Sequence, residues 1–320
     1  MRRFPLTLAI FVIIWLANPM SRVAGASPSA LKTFLEHEGY GGSPLQRRLG
    51  NHLFATTIIN GRRTALLIDT GAPFTLLDRE SVRSLNLPVR EARLIVTGVT
   101  GLSERAGIAA IATLKMGNCT FVNVPIAVAD TADINAIRGP HLDGLFGAHE
   151  MSKFGMIIDC TRQMIYVNPK GPSAASSQKL AQFLTGRGFT RIPMRFDSRH
   201  HLEVQVGVNG HPVSLMVDTG ASSTFLSASI ASASGASTSS MKFTIGGATG
   251  GALPGKVARI QELSLGNLTV HNAEITTGVS KIGEAGLLGE EYLSWNFGII
   301  DVGGLSLYLR PPESAPAKKR

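Results

Sequence analysis

Cysteine is scarce in this 320-residue chain, which has only Cys119 and Cys160. Histidine is scattered: His141, His149, His200 and His201 keep no metal-ligand spacing, which argues against zinc and leaves no cofactor implied. Aromatic residues make up 6% of the chain. None interleaves with the basic pairs Arg47-Arg48 and Arg62-Arg63 or with the tail Lys318-Lys319-Arg320. The net charge of +9 therefore reads as a solvated basic surface, and nucleic acid is not an expected partner. No G-x-S-x-G and no Walker-type loop occurs. Beyond the N-terminal segment, no apolar run is long enough to span a bilayer.

What the chain has in quantity is glycine, 35 residues, alongside 16 prolines and few long helical patterns. That composition points to many strands joined by tight turns. Apolar content of 44% suits a globular protein with one large core or two of ordinary domain size. At the N-terminus, Arg2 and Arg3, an apolar run from Leu6 to Ala17 and the small residues Ala24-Gly25-Ala26 follow the order of a secretory signal peptide. Residues 1–26 are therefore set apart from the fold. The mature protein is expected to be exported, periplasmic or secreted, with an uncleaved membrane anchor as the alternative.

The chain is organised around a stretch that occurs twice. Leu66-Leu67-Ile68-Asp69-Thr70-Gly71-Ala72 returns 149 residues later as Leu215-Met216-Val217-Asp218-Thr219-Gly220-Ala221. In each copy an apolar run, read as a buried strand, ends on an acid. A buried carboxylate is costly unless it is paired or used. A single Asp-Thr-Gly turns up by chance in about a few per cent of chains this long; two in matching contexts need a cause.

The repeat extends over nearly the whole mature chain. Leu31, Phe34 and Leu35 recur as Leu180, Phe183 and Leu184, and His52-Leu53 as His201-Leu202. Asn60-Gly61, a natural two-residue hairpin turn, recurs as Asn209-Gly210. The offset then falls to 142, with Gly144-Leu145-Phe146-Gly147 matching Gly286-Leu287-Leu288-Gly289 and Ile157-Ile158-Asp159 matching Ile299-Ile300-Asp301. Seven extra residues therefore lie in the first copy between about Val128 and His141. Each copy reads as a short helix (Leu31–Glu38, Leu180–Thr185), a hairpin delivering the acid, a helix or loop, a Gly-rich hairpin, and alternating strands leading to the Gly-apolar-apolar-Gly element. Pro169–Ser177 reads as the linker and Pro311–Arg320 as a disordered tail.

The duplication also bears on single residues. Cys119 and Cys160 face Leu268 and Val302 in the repeat, so both are expected as buried thiols, with a disulfide between them as the alternative. Asp159 and Asp301 match but begin turns, and are expected to cap them. Asp143 faces Ala285 and is given no role.

These motifs resemble the aspartic proteases of the retropepsin and pepsin-like group. The resemblance rests on Asp69-Thr70-Gly71-Ala72, Asp218-Thr219-Gly220-Ala221 and the two Gly-apolar-apolar-Gly elements. It implies a mostly β fold of two homologous β-barrel lobes with short helices, related by a pseudo-twofold axis with a cleft between them. The lobes are expected over residues 27–168 and 180–310, joined by 169–179, with 311–320 as a basic tail. It implies catalytic Asp69 and Asp218 in one site, with Thr70, Gly71, Ala72, Thr219, Gly220 and Ala221 supporting them. The chain is then expected to be a monomer holding an intramolecular pseudo-dimer, acting on a peptide or protein substrate.

Two features place it nearer the retropepsin branch. Ala72 and Ala221 stand where pepsin-like enzymes usually carry Ser or Thr. Neither expected flap, Gly98-Val99-Thr100-Gly101 or Gly247-Ala248-Thr249-Gly250, contains a tyrosine. The missing hydroxyl donors should raise the dyad's pKa values and give a mildly acidic to near-neutral optimum. The competing expectation is a catalytically silent peptide- or protein-binding module of the cell envelope on the same fold.

Overall fold

Each copy of the repeat turns its acid-bearing strand out of an Asn-Gly hairpin. In the computed structural model, which describes residues 6–7, 29–48, 50–98, 102–131, 142–246, 252–279 and 285–311, Asn60 and Asn209 have φ of 48° and 49°, and Gly61 and Gly210 have 84° and 80°. Two successive left-handed residues match the twist of the flanking strands, and Asn-Gly adopts them at little cost.

The first half runs α1 (Ala30–His37), β1 (Gly41–Arg48), β2 (His52–Ile59), β3 (Arg62–Ile68), β4 (Leu76–Asp78), α2 (Arg79–Ser84), β5 (Arg90–Thr97), β6 (Ser103–Met116), β7 (Cys119–Ala129), β8 (Gly144–Phe146), α3 (Ala148–Lys153), β9 (Ile157–Asp159) and β10 (Met164–Val167). The second repeats it as α4 (Ala174–Thr185), β11 (Thr190–Phe196), β12 (Leu202–Val208), β13 (His211–Asp218), β14 (Phe225–Ser227), α5 (Ala228–Ala233), β15 (Ser237–Gly246), β16 (Ala252–Leu265), β17 (Leu268–Gly278), β18 (Gly286–Gly289), α6 (Glu290–Trp295), β19 (Ile299–Asp301) and β20 (Ser306–Leu309). The protein is mostly β, as the glycine-rich, turn-rich sequence predicts.

The halves share one pairing scheme. β3 runs antiparallel to β2 and parallel to β8, whose other neighbour is β4; β13, β12, β18 and β14 repeat this pattern. β5 with β6, and β15 with β16, form the long hairpins expected of the flaps. Gly98 is described at the end of the first; 99–101 and 247–250 lie outside the described residues.

A third sheet joins the halves, in the order β1, β10, β9, β19, β20, β11, all antiparallel. At its centre the two Ile-Ile-Asp strands pair with each other, Ile158 opposite Ile300, so the local pseudo-twofold axis passes through equivalent residues. Side chains alternate across the sheet. Ile158, Ile165, Ile300 and Leu307 join the large core that includes Ile68 and Val217. Ile157, Tyr166, Ile299 and Tyr308 face the other way and are covered by Leu31 and Leu35 of α1 and Leu180 and Leu184 of α4.

Several local expectations change. α4 begins at Ala174, so half of the expected linker is helix; Ser173 caps it by accepting a hydrogen bond from the Ser176 amide at 3.0 Å. Ser caps helix N-termini as readily as it populates loops, which hid the boundary. Cys119 and Cys160 are both buried and both free. Asp143, given no role from the sequence, accepts from the Ala65 amide at 2.7 Å and the Ser81 hydroxyl at 2.9 Å, tying β3 to α2. Asp159 and Asp301 do cap turns, accepting from the amides of Arg162 and Gly304 at 2.9 and 2.8 Å. The signal segment, apart from residues 6–7, and residues 312–320 lie outside the described residues. Among the described residues no helix is long and apolar enough to cross a membrane.

Candidate active site

Asp69 follows β3 and Asp218 ends β13, and both are fully buried. In each, Oδ1 is fixed by its own loop. Asp69 Oδ1 accepts from the amides of Gly71 and Ala72 at 3.0 and 3.1 Å, and Asp218 Oδ1 from those of Gly220 and Ala221 at 2.8 and 3.1 Å. These two-and-three-residue-ahead contacts are Asx-turn geometry, which Asp adopts readily.

The two loops meet face to face. A Cβ placed on Gly71 would lie 2.5 and 2.7 Å from the carboxylate oxygens of Asp218, and one on Gly220 the same distances from those of Asp69. Only glycine permits this approach. It also establishes that each carboxylate sits against the other half's loop, so the acids occupy one site. Burial first, and then the charge of Asp69, raise the pKa of Asp218 well above the usual carboxylate range, against the opposing effect of the Gly220 and Ala221 amides. Two carboxyl groups this close share a proton instead of both ionising.

The threonines lock the loops reciprocally. Thr70 donates its hydroxyl to the Val217 carbonyl and Thr219 to the Ile68 carbonyl, both at 2.7 Å. Each hydroxyl oxygen in turn accepts from the other threonine's amide, at 3.1 Å from Thr70 and 3.0 Å from Thr219. Four buried bonds thus cross the pseudo-twofold axis within two residues of the acids.

Beneath each loop lies the Gly-apolar-apolar-Gly element. Any Cβ on Gly147 or Gly289 would collide with the backbone of Phe74 or Ser223, which explains the second glycine of each motif. The Ala148 amide donates to the Ala72 carbonyl at 2.8 Å, and the Glu290 amide to that of Ala221 at 2.9 Å. Thr75 and Thr224 accept from the amides of Gly147 and Gly289 at 3.1 and 3.2 Å. Ala72 and Ala221 are fully buried, without room for solvent at the methyl.

The site is not symmetric throughout, and here sequence reasoning missed residues. Arg47, on β1, reaches across to α6 and donates to Glu290 Oε1 at 2.9 Å and Ser294 Oγ at 2.8 Å, and to the Cys160 carbonyl at 2.6 Å. Glu290 is fully buried. Burial pushes its pKa up to about 7, although Arg47 and Ser294 pull it down. In the repeat Arg47 and Glu290 face Phe196 and Ala148. The signal was there: two complementary charges that break the repeat together. On the opposite side of the junction, Phe74 and His149 pack together at 5.5 Å between ring centroids, and Phe74, His149 and Phe196 each meet His200 at 5.9 to 6.4 Å. His52 Nε2 lies 3.1 Å from Ser222 Oγ, a further contact between halves. Among the described residues no group of three or more His, Cys, Asp or Glu could hold a metal ion.

Comparison with known proteins agrees with this geometry. Residues 55–149 match a family model described as aspartyl protease, and residues 204–295 match one described as gag-polyprotein putative aspartyl protease. No curated protein matches the chain. Among solved structures, conglutin gamma, a basic 7S globulin from lupine seeds, is 12% identical at a TM-score of 0.52, covering 86% of this chain and 95% of its own. Basic 7S globulin from soybean is 13% identical at a TM-score of 0.49, covering 85% and 95%. A retropepsin-like aspartic protease from Rickettsia conorii is 18% identical at a TM-score of 0.29, covering 40% of this chain and 90% of its own. Sharing of fold is what the lupine match carries. With an aspartyl protease model matching each half and Asp-Thr-Gly-Ala at the junction of both, the chain belongs to the retropepsin-like aspartic proteases.

Proposed function

We propose that this protein is an exported aspartic endopeptidase that hydrolyses peptide bonds with a water activated between Asp69 and Asp218. The observation that carries the reading is the contact of each loop glycine with the other half's carboxylate, which sets the two acids against each other. A non-catalytic groove has no use for two adjacent buried carboxylates, which are expensive to keep.

The chemistry follows from one proton shared by two groups. The ionised carboxylate takes a proton from the water as its oxygen attacks the scissile carbonyl carbon, and the protonated carboxyl donates to the carbonyl oxygen. A tetrahedral diol results. Proton transfer to the amide nitrogen then lets the C–N bond break, releasing an acid and an amine and restoring the shared proton. Thr70 and Thr219 hold the two loops at the spacing this exchange requires, and the hairpins β5–β6 and β15–β16 would fold over an extended substrate. The N-terminal Arg-Arg, apolar run and Ala-Gly-Ala support export, and the paired halves support action as a monomer.

The second reading, a silent peptide-binding module, is favoured by the match to conglutin gamma, described as a seed globulin. The test is a mixed peptide library incubated from pH 3 to 8 with the chain from Ser27 onward and with Asp69→Asn and Asp218→Asn. Cleavage lost in both variants supports the shared dyad. Loss in one alone breaks the single-site model, and binding without cleavage by any of the three selects the second reading.

A further inference from the structure

A groove of about 670 Å³ lies on the first half, where β5, β6 and β7 pass beside α3. Small side chains, Ala109 and Ala110 of β6 and Ala127 of β7, line it together with Phe74, Ile108 and Pro125. Its walls are open to solvent. Ile108 is 44% exposed, and Phe74, Pro125 and His149 are not buried either. The acid in the lining, Glu150, is buried and accepts from the amide and hydroxyl of Thr75 at 2.8 and 2.7 Å, whereas Arg90 at the rim is exposed.

The groove adjoins the dyad without lying over it. Phe74 belongs to the loop between β3 and β4 that carries Asp69, and its ring packs on His149 of α3 at 5.5 Å between centroids. Ile108 belongs to the first flap hairpin, toward its base. At 3.4 Å per residue the strand runs about 17 Å from Ser103, near the tip, to Ile108.

The duplication supplies an internal control. Ala110 and Pro125 stand opposite each other on β6 and β7. Their counterparts Arg259 and Glu274 stand opposite each other on β16 and β17 and are joined by an ion pair at 2.6 Å. Phe74 and His149 correspond to Ser223 and Glu291. The strands do not themselves require an apolar hollow here, since the second half forms the same strands with a charged pair in that place.

We propose that this groove is a specificity site for the polypeptide substrate, taking one apolar side chain about three to five residues from the cut bond and on one side of it only. The inference rests on the endopeptidase reading and adds to it a class of substrate: extended chains with a remote aliphatic or aromatic residue. Seating that residue against Phe74, Ile108 and Pro125 removes apolar surface from water. The volume falls within the range of about 300–1,000 Å³ usual for pockets that take organic groups. Arg90 disfavours Lys or Arg at the same substrate position. Two identical halves would read both sides of the bond alike; the Arg259–Glu274 pair breaks that equivalence.

The test reads a randomised peptide library in two ways: sequencing of the products cut by the full chain, and sequencing of the peptides retained by its Asp69→Asn variant, which needs no cleavage. Phe, Leu or Ile should be enriched at least fivefold at one remote position, with Lys and Arg depleted there. Ala110→Arg with Pro125→Glu rebuilds in the groove an ion pair that this fold already carries, and should abolish the remote enrichment while leaving the preferences beside the cut bond unchanged. Ile108→Glu should act likewise, and Ile58→Glu, at an exposed position outside the lining, should not. Absence of a remote preference from both readouts, equal preferences on both sides of the bond, or a preference that survives the rebuilt pair each overturns the proposal. A chain that cuts nothing but retains peptides through the groove refutes the cleavage reading and supports this one. Cleavage with no remote preference does the reverse.

Discussion

Arg47 of the first half donates to the fully buried carboxylate of Glu290 in the second at 2.9 Å, and the positions equivalent to this pair hold Phe196 and Ala148. Glu290's own amide donates to the Ala221 carbonyl, so the pair is one step from the loop of Asp218 and has no counterpart at the loop of Asp69. A charged contact between the halves therefore bears on only one of two otherwise equivalent acids.

Removing the charge from one side should be costly. Arg47→Met leaves Glu290 buried without its cation and is expected to lose about 3–5 kcal/mol in urea unfolding at pH 8, whereas Arg47→Met with Glu290→Met should lose much less. The pH dependence has a definite sign. Glu290 holds its proton to about pH 7 in the folded chain against an ordinary value of 4.5. The folded state thus binds the extra proton, and this group's contribution to stability falls as pH rises from about 4.5 to 7. Glu290→Gln, which resembles the protonated form, should remove that slope from a plot of unfolding free energy against pH.

The threonine lock makes a separate prediction. Thr70→Ala strands the Val217 carbonyl and Thr219→Ala the Ile68 carbonyl, each buried, so each should cost about 1–3 kcal/mol. Each hydroxyl also accepts from the opposite threonine's amide, so the double variant should lose less than the sum of the singles. A double-mutant cycle by thermal unfolding checks this, and strict additivity would count against a reciprocal lock.

Gly71→Ala should abolish peptide cleavage while Ala72→Ser does not. The first drives a methyl into the Asp218 carboxylate. The second adds a hydroxyl donor beside Asp69, which should lower the dyad's apparent pKa values and move the acid limb of the pH–rate profile downward. In wild type the raised pKa of Asp218 keeps the shared proton in place toward neutral pH. Its optimum is therefore expected between mildly acidic and neutral, and an optimum below about pH 3 would contradict the electrostatic account.

The cysteines should be silent in the native state. Burial raises the pKa of both thiols, that of Cys160 more strongly. A thiol-reactive chromogenic reagent should therefore label neither until the chain is denatured, then both, and reductant should leave Tm unchanged.

Much of the site was legible in the sequence because duplication turns weak motifs into strong ones. Asp69 and Asp218, the glycines beside them, the Asn-Gly turns and the Gly-apolar-apolar-Gly elements all obey local rules: a turn needing left-handed residues, a loop needing an absent Cβ. The start of α4 was not legible, because serine serves a helix cap and a linker equally well. Nor was Asp143, whose partners on β3 and α2 are remote in sequence.

By itself the sequence determined that the chain has two similar halves, each ending a buried strand on an acid, since periodicity and turn chemistry act over a few residues. Only the tertiary structure decided that the acids face one another, that Thr70 and Thr219 bond across the axis, and that Ile158 meets Ile300 at the centre of a shared sheet. It also decided that Arg47 and Glu290, the two charges that break the repeat, meet each other across the halves. The reason is physical: contacts between residues 140 to 250 positions apart depend on how two cores pack, and no local pattern encodes that packing.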